Sequence, residues 1–155
     1  MQILSQACGF TDADPVGTTK VKTGGTYSFT VQPLLNSILR VQFGDAESPT
    51  RPLAVRPLVQ LRRAGAGTFH VDVSVGNGAF FTQAVTLQRY DPRTKSWKPA
   101  ASALLKANSD PAALTAVSSA TVRAAVARGT KVRAAVSQAT VGSCYRPAVS
   151  ASITA

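Results

Sequence analysis

Thr68-Phe69-His70-Val71-Asp72-Val73-Ser74-Val75 is the stretch that decides how this chain folds. Apolar side chains take every second position, Phe69, Val71, Val73 and Val75, and His70, Asp72 and Ser74 fill the gaps. Successive side chains of an extended chain point to opposite faces, so this period of two predicts a half-buried β-strand. Gly76-Asn77-Gly78 follows as a hairpin turn. Ala84–Tyr90 is the next strand and passes through Asp91-Pro92-Arg93-Thr94-Lys95 into Ser96-Trp97-Lys98 as a hairpin. Upstream, Gly24-Gly25 introduces Thr26–Val31, in which Tyr27, Phe29 and Val31 alternate with polar residues. Ile38–Phe43 repeats the pattern beyond the Pro33 turn, and both segments are expected as strands.

Residues 121–141 are ambiguous, because Ala and Arg favour helix and Val122-Arg123-Ala124-Ala125-Val126 recurs as Val132-Arg133-Ala134-Ala135-Val136. Gly129 splits the stretch into pieces too short for stable helices. In period two, Val122, Ala124 and Val126 share a face opposite Arg123, and Val132, Ala134 and Val136 share one opposite Arg133, which favours strands. The whole chain therefore reads as all-β. Its composition agrees: of 155 residues 45% are hydrophobic and only 15% charged, with Val, Ala and Leu outweighing aromatics.

The net charge of +10 comes from 17 Lys and Arg against 7 Asp and Glu, so a partner met by diffusion is anionic rather than cationic. The basic residues are scattered through period-two segments, which reads as solvated strand faces; specific nucleic-acid binding would need a clustered basic face. No apolar run approaches the ~20 residues that cross a bilayer as a helix. Met1-Gln2-Ile3-Leu4-Ser5-Gln6 has neither a basic n-region nor an apolar h-region, so an export signal is expected to have been removed or to lie upstream.

The chain also repeats itself. Ile3-Leu4-Ser5-Gln6 parallels Val85-Thr86-Leu87-Gln88, Leu39-Arg40-Val41 parallels Val132-Arg133-Ala134, and Ser48 to Val55 parallels Tyr145 to Ile153 as a closing strand. The second copy has additional residues in front, 57 to about 81, containing two strands with no counterpart in the first. Residues 56–155 thus read as a complete module, and residues 1–55 as a partial module lacking its first strands.

Gly25-Thr26-Tyr27-Ser28-Phe29-Thr30-Val31-Gln32-Pro33, Val55-Arg56-Pro57-Leu58-Val59-Gln60-Leu61, Val85-Thr86-Leu87-Gln88-Arg89-Tyr90 with Trp97, Lys131-Val132-Arg133 and Val141-Gly142-Ser143-Cys144-Tyr145 carry a further signal. Together they resemble the tandem immunoglobulin-like repeats of secreted and cell-wall-associated proteins of high-GC Gram-positive bacteria. The resemblance implies an immunoglobulin-like Greek-key β-sandwich serving as a spacer, adhesive stalk or accessory domain, with Trp97 as a core or hairpin residue and no catalytic residues. It differs from that family in beginning inside a module.

His70, Asp72 and Ser74 are the residue types of a hydrolase triad. Residues two apart on a strand stand about 6.5–7 Å from each other with parallel side chains, whereas a triad needs direct hydrogen bonds near 3 Å. A solvent-exposed strand face is the expectation, and no catalytic residue is assigned. Asp12 and Asp14, or Asp45 and Glu47, lack the six to eight oxygens that calcium takes and read as turn acids; no metal or cofactor is assigned. Asp14-Pro15 and Asp91-Pro92 read as turn chemistry. Gly65-Ala66-Gly67 and Gly76-Asn77-Gly78 are hairpin glycines rather than phosphate loops, since neither leads into a helix. Cys8 and Cys144 lack a neighbouring base, which leaves either a disulfide between modules or two separate buried thiols. Arg89, Tyr90 and Trp97 form the candidate surface for binding anionic glycan.

The function expected from these readings is that of a non-enzymatic extracellular or cell-wall-associated structural protein, a stalk or surface-fibre module. Its open edge would be filled by a strand from a neighbouring module or a second copy. The rivals are a binding module for anionic cell-wall or matrix polysaccharide, and a virion decoration protein.

Overall fold

The computed structural model describes residues 1–108 and 115–155. The chain divides into two compact units, Met1–Val55 and Arg56–Ala155. Nearly everything regular in it is β-structure, with one short helix among the described residues.

The first unit is a single antiparallel sheet of β1 (Gln2–Ala7), β2 (Asp14–Thr18), β3 (Ser37–Phe43), β4 (Ala46–Glu47) and β5 (Arg51–Leu53), in the order β2-β1-β3-β4 with β5 also paired to β3. On β3 Ser37, Leu39 and Val41 are buried and alternate with exposed Ile38 and half-buried Arg40 and Gln42, a pattern that ends at Phe43, exposed on the face the buried residues share. Opposite residues share a face, so Ile3 meets Val41 and Ser5 meets Leu39 across the β1–β3 ladder. Only four apolar side chains of the unit are fully buried, Ile3, Leu4, Leu39 and Val41.

Thr26–Val31 is not a strand, contrary to its alternating pattern. Its ordering comes instead from a turn in which the Lys22 amide donates to the Thr26 carbonyl at 2.7 Å, and from the Thr19 hydroxyl, which donates to the Ser28 carbonyl at 2.9 Å. Tyr27 and Phe29 stack at 6.3 Å with their rings 9° from parallel. Apolar alternation can be satisfied by laying side chains on a sheet, but a strand also needs a neighbour for its amides and carbonyls. Both long strands of this sheet already pair on each side. Asp14-Pro15 likewise lies in β2 and not in a turn; β2 is at the sheet edge, where a residue without an amide hydrogen costs no ladder bond.

In the second unit β6 (Leu58–Gly65), β7 (Thr68–Val75), β10 (Lys106–Ala107) and β11 (Ala116–Arg123) form one sheet, ordered β10-β11-β7-β6. The other contains β8 (Ala84–Asp91), β9 (Ser96–Leu104), β12 (Lys131–Val136), β13 (Ala148–Val149) and β14 (Ile153–Thr154), ordered β13-β12-β8-β9 with β14 also on β12. Every pairing is antiparallel. β6 packs on β12 and β13, and β11 on β9, so the sheets face each other as a sandwich. Phe69, Val71, Val73 and Val75 from β7 meet Val85 and Leu87 from β8 and Val132, Ala134 and Val136 from β12 in this core, each 5% exposed or less. Burying each Val, Leu or Phe side chain contributes about 1.5–3 kcal/mol, an upper bound because the unfolded chain already hides part of that surface.

Connections depart from expectation in two places. Residues 76–83 are no hairpin: β7 and β8 belong to different sheets, and the segment crosses between them. Within 121–141 the strands stop at Arg123 and resume at Lys131, leaving 124–130 outside any strand, and Gln138–Val141 is a short helix α1 capped by the Ser137 side chain. The β6–β7 turn does use its glycine as expected. Gly67 has φ +63°, and a Cβ there would stand 3.0 Å from the Ala124 carbonyl oxygen.

Candidate binding surfaces

The outer face of the β8–β9–β12 sheet brings together Tyr90, Trp97, Gln88 and Arg133. Tyr90 is directly opposite Trp97 and Gln88 opposite Arg133, so all four point the same way. The Tyr90 and Trp97 rings are 5.4 Å apart, tilted by 60°. The Arg133 guanidinium lies 4.3 Å above the centre of the Trp97 ring, a cation–π distance, and its Nε donates to Gln88 Oε1 at 2.8 Å. Trp97 is therefore a half-buried hairpin residue on the outside of the sandwich, covered by Arg133. Arg89 does not join this cluster. It lies opposite Lys98 and Val132 on the alternate face of β8, where the strand runs out of the core and leaves it exposed. Arg133 is the member that sequence reading missed; only the β8–β12 register places it there.

His70 and Asp72 are closer than strand spacing predicts. His70 Nε2 is 3.0 Å from Asp72 Oδ1, because both side chains lean along the strand instead of standing perpendicular to it. The hydroxyl of Ser119, opposite Asp72 on β11, donates to the same oxygen at 2.5 Å. Arg62 Nε stands 4.0 Å from Asp72 Oδ2. The three residue types of a triad are thus in contact, but in the wrong order: Ser119 and His70 both spend their bonds on Asp72, and triad chemistry needs the serine on the histidine. Ser74 lies one pair further along, opposite Leu58 and Val117. These side chains are half-buried or buried, not freely exposed.

At the other end of the second unit two loops are fastened to each other. The Tyr145 hydroxyl donates to the Asn77 carbonyl, its ring meets Phe80 edge-on at 5.6 Å, and the Thr140 hydroxyl donates to the Ala84 carbonyl at 2.8 Å. Burial pushes the Tyr145 phenol above its ordinary pKa. Asp91, at the β8–β9 turn, shifts downward, because the Arg93 amide and then the Thr94 hydroxyl bond to its carboxylate.

The first unit leaves much of its apolar surface uncovered: Phe10, Val16, Val21, Leu34, Ile38 and Phe43 are each at least 44% exposed. Tyr27, Phe29, Leu39 and Val41 line a groove of about 210 Å³ together with Arg40 and Arg51. Of the turn acids, Glu47 pairs with Arg40 at 3.4 Å, and Asp12, Asp14 and Asp45 make no metal-binding group of three among the described residues. Cys8 and Cys144 are both disulfide-bonded, which removes the reading of two separate thiols. No described helix is long and apolar enough to cross a membrane. No protein-family model, curated protein or solved structure matches the chain.

Proposed function

We propose that this chain is a non-enzymatic structural protein of the extracellular or cell-wall-associated kind, a stalk or surface-fibre module built on immunoglobulin-like Greek-key sandwiches. With β6 to β13 taken in turn as strands A, B, C, C′, D, E, F and G, the sheets of the second unit have the order D-E-B-A and C′-C-F-G, which supports that topology. Oxidised cysteines fit an oxidising compartment.

The observation that carries the reading is the first unit. Its order β2-β1-β3 followed by short closing strands matches β9-β8-β12 followed by β13 and β14, yet the strands equivalent to β6 and β7 have no counterpart among its described residues. A sheet with four fully buried apolar side chains and large exposed ones is marginal alone. A strand supplied by a neighbouring copy of the chain would cover that surface and link subunits into a fibre. Mass photometry of the intact chain over a concentration series, with and without reductant, tests this. Association beyond the monomer that survives reduction is the expected result, and a well-folded monomer at all concentrations would sink strand donation.

A further inference from the structure

The basic residues that look scattered in the sequence converge in the second unit. β6 ends and β7 begins at one pole of the sandwich, which also carries the β8–β9 turn and the link from β11 to β12; the Ala124 amide, in that link, donates to the Gly67 carbonyl of the β6–β7 turn at 2.9 Å. The end of β6 contributes Arg63. The β8–β9 hairpin contributes Arg89, Arg93, Lys95 and Lys98, and the β11–β12 link contributes Arg123, Arg128 and Lys131. All eight are exposed. The sole carboxylate side chain among the described residues of these turns, that of Asp91, accepts from the Arg93 amide at 3.0 Å and feels the charge of Lys98. None of the eight cations has an ion-pair partner among the described residues.

We propose that this pole is a binding surface for an acidic polysaccharide, carboxylated or sulfated. Five of the eight cations are arginines, whose forked guanidinium takes carboxylate or sulfate through two parallel hydrogen bonds. Arg133 extends the surface onto the sheet. Its Nε is held by Gln88 and its face by Trp97, so the rest of its guanidinium is presented in a fixed orientation with little entropy left to lose. Nucleic acid is disfavoured on two counts. Arg133 occupies the Trp97 face on which a base would stack, and the pole is made of turns, with no helix to enter a groove. Disulfide-bonded cysteines are compatible with the oxidising surroundings in which such glycans occur. The surface lies wholly within the second unit and stands whether or not the first unit takes up a strand.

Trp97 is the chain's only tryptophan and sits at the pole, so its fluorescence reports binding there directly. The intact chain is titrated with polygalacturonate and with heparin at about 50 mM and 300 mM salt, and with an oligodeoxythymidylate for comparison. The expected result is a change in Trp97 emission with one or both glycans, weakening with salt as the charges are screened. Two triple variants remove pole charge, Arg63→Ser/Arg123→Ser/Arg128→Ser and Arg93→Ser/Lys95→Ser/Lys98→Ser. A third, Arg56→Ser/Lys106→Ser/Arg146→Ser, removes equal charge from exposed positions elsewhere on the unit. Whichever pole variant keeps the parent's melting profile binds about tenfold more weakly and the third within about twofold, because salt screening favours the charges nearest the ligand. Equal losses in all variants, no response to either glycan, or tighter binding of the oligonucleotide would each overturn the proposal.

Discussion

Replacing Tyr145 by Phe removes one oxygen and leaves the ring on Phe80, so it isolates the hydrogen bond that fastens residues 137–147 to residues 76–83. Tyr145 is 5% exposed, and the Asn77 carbonyl loses its donor. An orphaned buried acceptor costs about 1–3 kcal/mol, and the lower end applies here because the bond is only partly buried and water can reach the carbonyl. Tyr145→Phe should therefore lose about 1 kcal/mol at neutral pH, or about 4–8 °C in Tm for a unit of this size. The alkaline limb gives a second, independent readout. The phenol's pKa is raised in the folded state by burial, so the folded protein keeps a proton that the unfolded chain releases above about pH 10. Stability from this group is complete below pH 10 and is lost as pH rises toward the folded pKa. Denaturant unfolding of both proteins from pH 7 to 11 should give curves about 1 kcal/mol apart at neutral pH that converge above pH 10. Subtracting one from the other cancels every other titrating group. Equal stability at pH 7, or parallel curves up to pH 11, would refute the role given to this bond.

Leu87→Ala, at a position 0% exposed in the sandwich core, should cost about 2–5 kcal/mol in a denaturant titration. Gly67→Ala should cost at least about 1 kcal/mol, because φ +63° and the Ala124 carbonyl 3.0 Å away both oppose a Cβ, whereas Gly65→Ala, whose nearest neighbour is 3.9 Å off, should be close to neutral by the same measurement. Arg133→Ala should lower stability by about 0.5–1 kcal/mol and shift Trp97 emission as the ring loses its cover. Thiol titration of the denatured, unreduced protein should find no reactive cysteine, and two per chain after reduction.

Period two in Phe69 to Val75, in Ala84 to Tyr90 and in Val132 to Val136 was enough to place three core strands and their buried faces, because alternation is a local property of extended backbone. It failed at Thr26–Val31, where the alternation is as good but the backbone pairs with no neighbour. It also overran at Ala124–Val126, which copies Ala134–Val136 in residue type and not in strand pairing. Pairing is a long-range property, and no window of sequence contains it. The same limit applies to the sites. Tyr90 and Trp97 were legible as hairpin neighbours, but Arg133 joins them from a strand more than 30 residues away. Ser119 reaches Asp72 from 47 residues away.

What the sequence determined by itself is the class of structure, all-β with alternating polar and apolar faces on its core strands, and a net charge of +10. Where that charge sits was decided only by tertiary structure. Antiparallel strands return the chain to the same end at every second turn, so cations far apart in sequence, from Arg63 to Lys131, are gathered at one pole of the second unit.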